Sequence, residues 1–263
     1  MAKKDILKEI IGKKKEKIIL AKQQFPEADL RSKLQYLPPP RPFLESIRKA
    51  RQISLIAEIK RSSPSQGVIR EDFSLEQIAG AYNQAEVQAI SILTEEDYFG
   101  GDISFINQVK NLVSVPILRK DFILEPYQIY ESYAFGADAV LLIADLLSKD
   151  KLIELMQIAD TLGIDCLVEV HTERELKKIL TLKDVNLIGI NNRDLHSLEV
   201  NSQTTERLFT LIPKDKIVVV ESGIKSSQDV LFLKILGVSA VLVGTAFMQA
   251  EDIKSKVEEI MGW

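Results

Sequence analysis

Eight short apolar runs, each followed by a stretch of helical patterning, dominate the chain after residue 50. They are Ser54–Ile59, Ala89–Leu93, Val115–Leu118, Ala139–Ile143, Cys166–Val170, Leu187–Ile190, Ile217–Val220 and Ala240–Val243. They recur roughly every 22–35 residues, the length of a strand-plus-helix unit. Runs such as AVLLI (139–143) and IVVV (217–220) are apolar at every position. That pattern suits a parallel sheet covered on both faces. Between the runs, Ser74-Leu-Glu-Gln77 and Thr172-Glu-Arg-Glu175 read as capping boxes that start helices. Strand–helix alternation implies either an open doubly wound sheet or a closed barrel. An open nucleotide-binding sheet would carry a glycine-rich turn after its first strand, and neither GxGxxG nor GxxxxGK[ST] occurs. Eight units in the 263-residue chain favour a single (β/α)8 barrel. Residues 1–263 are expected to form one such domain, with 1–50 an N-terminal helical extension.

The extension begins MAKKDILKEIIGKKKEKIIL, and its lysines interrupt every apolar run. No signal-peptide core or membrane span is expected from it. Ile6, Leu7, Ile10, Ile11, Ile18 and Ile19 fall near helical spacing, which predicts an amphipathic helix packed on the barrel. The following LPPPRPF (37–43) cannot continue a helix and reads as a stiff connector into another short one.

Lys+Arg number 34 against 38 Asp+Glu, a net charge of −4. Sequence-independent nucleic-acid binding needs the opposite balance. Cys166 is the single cysteine, so no intrachain disulfide can form, and a reducing cytoplasm is the expected setting. With only His171 and His196 besides, no four-ligand Cys/His zinc site can be built. His171-Thr-Glu173 matches the H-x-E of zinc deaminases but lacks the partner C-x-x-C. Both histidines read as loop residues just past a strand, and Cys166 as a small buried hydrophobe. GxSxG and HExxH are absent.

Barrel chemistry belongs at the C-terminal strand ends. Those ends carry Glu58 and Lys60, Lys120, Glu169, Asn191 and Arg193, and Glu221. Side chains alternate along a strand, so Glu58 and Lys60 share a face, as do Asn191 and Arg193. Any one of these could be a structural ion pair. The convergence of five such strand ends weakens that reading, because buried charges must pair or serve a charged ligand. Mixed Lys and Glu in a confined site suit acid/base chemistry, each group pushing the other's pKa toward the working pH. Gly223 and Gly244-Thr245 follow the seventh and eighth runs, where barrels commonly bind phosphate through backbone N–H groups.

The blocks IAEIKRSSPSQG (56–67), SILTEEDYFGG (91–101), PILRKDFI (116–123), LVEVH (167–171), IGINNRDL (188–195), VVVESGI (218–224) and VLVGTAFM (241–248) fall in order on seven of the eight strands. In these blocks the chain resembles the indole-3-glycerol phosphate synthase family, over essentially its whole length. The resemblance implies closure of an indole ring from 1-(2-carboxyphenylamino)-1-deoxyribulose 5-phosphate, with loss of carbon dioxide and water and no metal or cofactor. It implies Lys120 as general acid and Glu169 as general base for the dehydration. Lys60 would be an anion contact or second acid. Glu58, Asn191 and Glu221 would hold hydroxyls and orient the lysines. Arg193 would suit the aromatic carboxylate, with Lys60 competing for it. Ser63, Ser222, Gly223, Gly244 and Thr245 would cradle the phosphate, and Phe99, Phe122 and Pro64 would pack against the aromatic ring. The implied partner is this small molecule alone, and the implied state a cytoplasmic monomer. Two other readings stay open on the residues: a Schiff-base aldolase using Lys60 or Lys120, and a barrel that only binds a partner.

Overall fold

The computed structural model describes residues 6–48 and 52–263. The parts of the expected extension at 1–5 and 49–50 lie outside the described residues. Eight parallel strands close into a barrel: β1 Ser54–Ile59, β2 Ala89–Leu93, β3 Ile117–Lys120, β4 Ala139–Ile143, β5 Asp165–Val170, β6 Leu187–Asn191, β7 Ile217–Glu221 and β8 Ala240–Val243. Each pairs with its chain neighbours, and β1 pairs with β8 (Ser54 opposite Ala240) to complete the ring. A two-residue ribbon, Ser62–Ser63 against Gly67–Val68, shapes the loop after β1.

Four strands coincide with the runs read from the sequence. The third is shifted, beginning at Ile117 rather than Val115. Pro116 has no N–H to give the ladder, and the Val115 carbonyl is taken by the Arg41 guanidinium at 2.8 Å. At the other end the ladder runs on to Lys120, whose carbonyl accepts from Thr94 N.

Apolar residues alternate between two environments, which is why the strands are apolar on both faces along most of their length. Outward-facing Leu55, Ala57, Ile90 and Ile92 pack under helices on one side, and Val140, Leu142, Val168 and Ile188 on the other. Inward-facing Ile56, Leu118, Leu141, Leu167, Val219 and Leu242 fill the lumen.

The extension divides into three helices, α1 Ile6–Gln24, α2 Glu27–Leu34 and α3 Phe43–Ile47. α3 closes the barrel floor. Phe43 and Ile47 are fully buried there, Leu44 N donates to Asp165 Oδ2 at 2.8 Å, and Arg41 N donates to Asp138 Oδ1 at 2.5 Å, at the starts of β5 and β4. α1 lies at the opposite end. Its inner stripe is Leu7, Ile10, Lys14 and Ile18, so a lysine occupies a position where the period calls for an apolar residue. Lys14 reaches Asp121, directly after β3, and Lys17 reaches Glu96 and Asp97 after β2. The extension therefore does both things a segment before a barrel can do: it plugs the floor and borders the mouth. No helix among the described residues is long and apolar enough to cross a membrane.

Two expected capping boxes are half-formed. Ser74 and Thr172 each accept the N3 backbone N–H of their helix. Glu175 does not return the bond to Thr172 N; it accepts from the His171 backbone N at 2.8 Å instead.

Candidate active site

The C-terminal ends of the strands open into a cavity of about 850 Å³. Glu58, Lys60, Lys120, Glu169, Asn191 and Glu221 all line it, as the alternation of strand side chains requires. Arg193 joins them, its guanidinium donating to the Leu198 carbonyl at 2.8 Å while its backbone N donates to Asn191 Oδ1.

Lys120 sits between two carboxylates. Its Nζ is 3.1 Å from Glu169 Oε2 and 2.7 Å from Glu221 Oε2. Both carboxylates are about 1% exposed. Lys60 pairs with Glu58 at 2.6 Å. Each pairing joins opposite charges drawn out of water. Burial alone would lower the Lys120 pKa, but Glu169, Glu221 and Glu58 outweigh it and hold the ammonium well above the ordinary lysine range. Burial alone would raise Glu169, but Lys120 and His171 outweigh it and hold that carboxylate well below its ordinary range. These two groups therefore move away from neutrality, contrary to the expectation from mixed charges. Glu221 behaves as expected. Burial is its largest influence, Lys120 is shared with Glu169, and its pKa rises to about 7. Glu169 Oε1 and Glu221 Oε1 are buried with no hydrogen-bond partner among the described residues.

Two glycines make this packing possible. A Cβ on Gly189, in β6, would lie 2.6 Å from Glu221 Oε1. A Cβ on Gly244 would collide with Glu58 Oε1 and come within 2.8 Å of Glu58 Cβ.

At one end of the cavity lie Ser222, Gly223, Gly244 and Thr245. Ser222 and Gly223 are both left-handed, with φ of 65° and 85°. Asn192 Nδ2 holds the Ser222 carbonyl at 3.1 Å. The N–H groups of Gly223 and Thr245 have no acceptor among the described residues. Phe99 and Phe122 line another part of the wall, their rings 6.3 Å apart. Ser63 and Pro64 do not line the cavity. They lie on the ribbon after β1, where Ser63 Oγ is 3.4 Å from Ser65 Oγ, and Gln66 is the loop residue that reaches the cavity.

Sequence reasoning passed over His171 and Arg119. His171 is buried, with Nε2 3.2 Å from Glu169 Oε1 and Nδ1 3.3 Å from Glu175 Oε2. The signal was present: His171 stands two residues after Glu169 and so shares its face. Arg119 faces away from the lumen, where it meets Asp121 at 3.0 Å and Glu131 at 2.8 Å. Cys166 has its thiol pushed up to about 12 by burial, in keeping with an inert role.

The model of the indole-3-glycerol phosphate synthase family matches residues 7–260. The chain belongs to the indole-3-glycerol phosphate synthase family. A family member from Caldanaerobacter subterraneus subsp. tengcongensis is 49% identical over 98% of this chain and 99% of its own. Another, from Alkaliphilus metalliredigens, is 43% identical over 97% of both chains. Among solved structures, a tryptophan synthase alpha-subunit from Pyrococcus furiosus superposes with a TM-score of 0.62 at 19% identity, covering 80% of this chain and 98% of that one. A 3-hexulose-6-phosphate synthase from Salmonella typhimurium gives 0.60 at 14% identity, covering 80% and 97%. At those identities the likeness is one of barrel fold. Family membership rests on the indole-3-glycerol phosphate synthase sequences.

Proposed function

We propose that this cavity closes the indole ring of 1-(2-carboxyphenylamino)-1-deoxyribulose 5-phosphate, releasing carbon dioxide and water to give indole-3-glycerol phosphate, a step of tryptophan biosynthesis. The observation that carries the site assignment is Lys120 held between Glu169 and Glu221 at the closed end of a cavity large enough for an aromatic sugar phosphate.

Lys120 is the general acid. Its ammonium donates to the ribulose carbonyl oxygen as the aromatic carbon bearing the carboxylate attacks the carbonyl carbon. The new carbon–carbon bond forms, and loss of carbon dioxide returns the electron pair that restores the aromatic ring. Glu169, held ionised, then removes a proton from the neighbouring carbon while the hydroxyl leaves as water. Lys60 either donates the proton to that hydroxyl or holds an anion of the substrate. Glu58, Asn191 and Glu221 orient the lysines and accept from substrate hydroxyls. The N–H groups of Gly223 and Thr245, with Ser222 and Gly244, receive the phosphate. Arg193 takes the aromatic carboxylate, and Phe99 and Phe122 flank the ring. Ser63 and Pro64 would reach the substrate only through movement of the loop after β1. No cofactor or metal enters these steps.

A Schiff-base lysine would need a neutral amine. An ammonium fixed by two carboxylates is a poor nucleophile, so the Lys120 environment favours proton donation. With this function goes a monomer working in the cytoplasm as one 1–263 barrel domain carrying residues 1–50 as its extension.

The test is indole fluorescence on adding the carboxyphenylamino sugar phosphate to the protein and to Lys120→Met. Turnover by the wild type and its loss in the variant are expected. Covalent trapping of substrate by borohydride at Lys60 or Lys120 would overturn the acid/base assignment.

A further inference from the structure

Beside the cavity, but not lining it, a second set of charges continues from Glu169. His171 lies two residues further along β5 and its end, with Nε2 3.2 Å from Glu169 Oε1. The contact has ion-pair distance without the alignment of a hydrogen bond. On its other side, Nδ1 is 3.3 Å from Glu175 Oε2. Glu175 is itself fixed. It sits in the first turn of the helix Glu173–Leu180, its Oε2 accepts from His171 N, and its Oε1 accepts from Thr172 Oγ1 at 2.6 Å. This is the displaced half of the expected capping box, and it turns a helix-starting residue into an anchor for the imidazole.

We propose that His171, clamped by Glu175, is a positioning residue for Glu169: as an imidazolium it fixes the carboxylate's direction and keeps it unprotonated for the dehydration step. The inference rests on Glu169 being the general base. Lys120 takes Oε2 of Glu169, so His171 is the cation that faces the other oxygen. The charged groups around the ring are Glu169 with Lys120 behind it, Glu175, and Lys178, whose charge acts on Glu175. Burial would lower the His171 pKa, but Glu169 and Glu175 override it and raise it to about 10, so the cation persists through neutral pH.

The chain has only two histidines, so the ring can be read directly by ¹⁵N NMR, with His196→Gln to assign the signals. His171 is expected to be doubly protonated at pH 7–8, and a neutral ring there overturns the proposal. In turnover, His171→Gln removes the charge while leaving a donor. Its kcat should fall about tenfold, with KM changed less than about twofold, because the base loses its fixed direction while substrate contacts stay. An unchanged kcat in a folded His171→Gln overturns the proposal. Glu169→Gln separates the two levels of the argument. If that variant keeps wild-type turnover, Glu169 is not the base and the functional assignment fails first. If it loses turnover while His171→Gln is unchanged, only the role of His171 fails.

Discussion

Lys14, on the helix that precedes the barrel, places its ammonium 2.8 Å from Asp121, the residue that follows Lys120. The lysine side chain is 4% exposed and the aspartate fully buried. Asp121 also binds Arg119 and Thr94, so the end of β3 is held on its outer side by a charge network and on its inner side by the pairing of Lys120. The extension thus reaches within one residue of the proposed acid.

Removing that contact should affect both stability and turnover. Lys14→Met leaves Asp121 buried with one cation fewer, and breaking a buried pair costs about 3–5 kcal/mol. The low end is expected because Arg119 remains. Urea denaturation measures this cost, and turnover of the folded variant should fall because Lys120 loses its backing. Deletion of residues 1–40 removes α1 and α2 but keeps Phe43 and Ile47 in the floor. A folded barrel with weakened substrate binding and turnover is expected. Unchanged kcat/KM in the folded truncated protein would show that α1 only stabilises.

Gly244→Ala should be among the most damaging small substitutions in the site. Its Cβ cannot coexist with Glu58 where that residue now lies. Either Glu58 moves and releases Lys60, or β8 shifts away from β1. A loss of about 10²-fold in kcat/KM is expected from such a displacement of about 1 Å, with about 1–3 kcal/mol of destabilisation from overpacking. Steady-state kinetics and a thermal melt check the two effects.

Lys120→Met should reduce turnover by about 10²–10⁴-fold, the usual contribution of one positioned acid. The substitution also leaves Glu169 and Glu221 facing each other without their shared cation. At least one should then take up a proton near neutral pH, which proton release and uptake measured on unfolding would detect.

Glu221 offers a pH signature. Its folded pKa, about 7, lies above the ordinary value of 4.5. The native state binds that proton more tightly than the unfolded chain. Its stabilising contribution is complete below about pH 4.5 and disappears as pH rises through 7. Wild-type stability should therefore carry a decline across that window. Glu221→Gln should lack it, gaining on the order of 1–3 kcal/mol relative to wild type between pH 4.5 and 8. Parallel urea titrations at the two pH values measure it, and equal slopes for both proteins would refute the assigned environment of Glu221.

The barrel was legible because its strands are apolar on both faces over most of their length and separated by helix-length intervals. Even the lumenal set followed from strand alternation, Glu58 with Lys60 and Asn191 with Arg193. What escaped was whatever depended on two elements at once. Lys14 looked like one more surface lysine in a lysine-rich helix, and nothing local says that Asp121 waits across the mouth. His171 reads as a loop residue in the sequence because its partners, Glu169 and Glu175, stand on opposite sides of a strand–helix junction. The direction of the pKa shifts was also hidden: the number of acids and bases can be read from sequence, but which lysine stands between which carboxylates cannot. Ser63 and Pro64 show the converse: of the loop that follows Lys60 in the quoted motif, only Gln66 reaches the cavity.

The pairing of β1 with β8 sets a constraint on how the molecule is made. Ser54 meets Ala240, so the earliest barrel strand to leave the ribosome must wait for the last before its second edge is covered. Glu58 waits with it, since the glycine that makes room for its carboxylate follows β8. A nascent chain that stops short of β8 would expose two unpaired strand edges, which are prone to pair with other chains. Such contacts between distant parts of the chain also slow folding. The active site is therefore assembled in the same event that seals the barrel, and truncated synthesis products should be found as aggregates rather than as partly active enzyme.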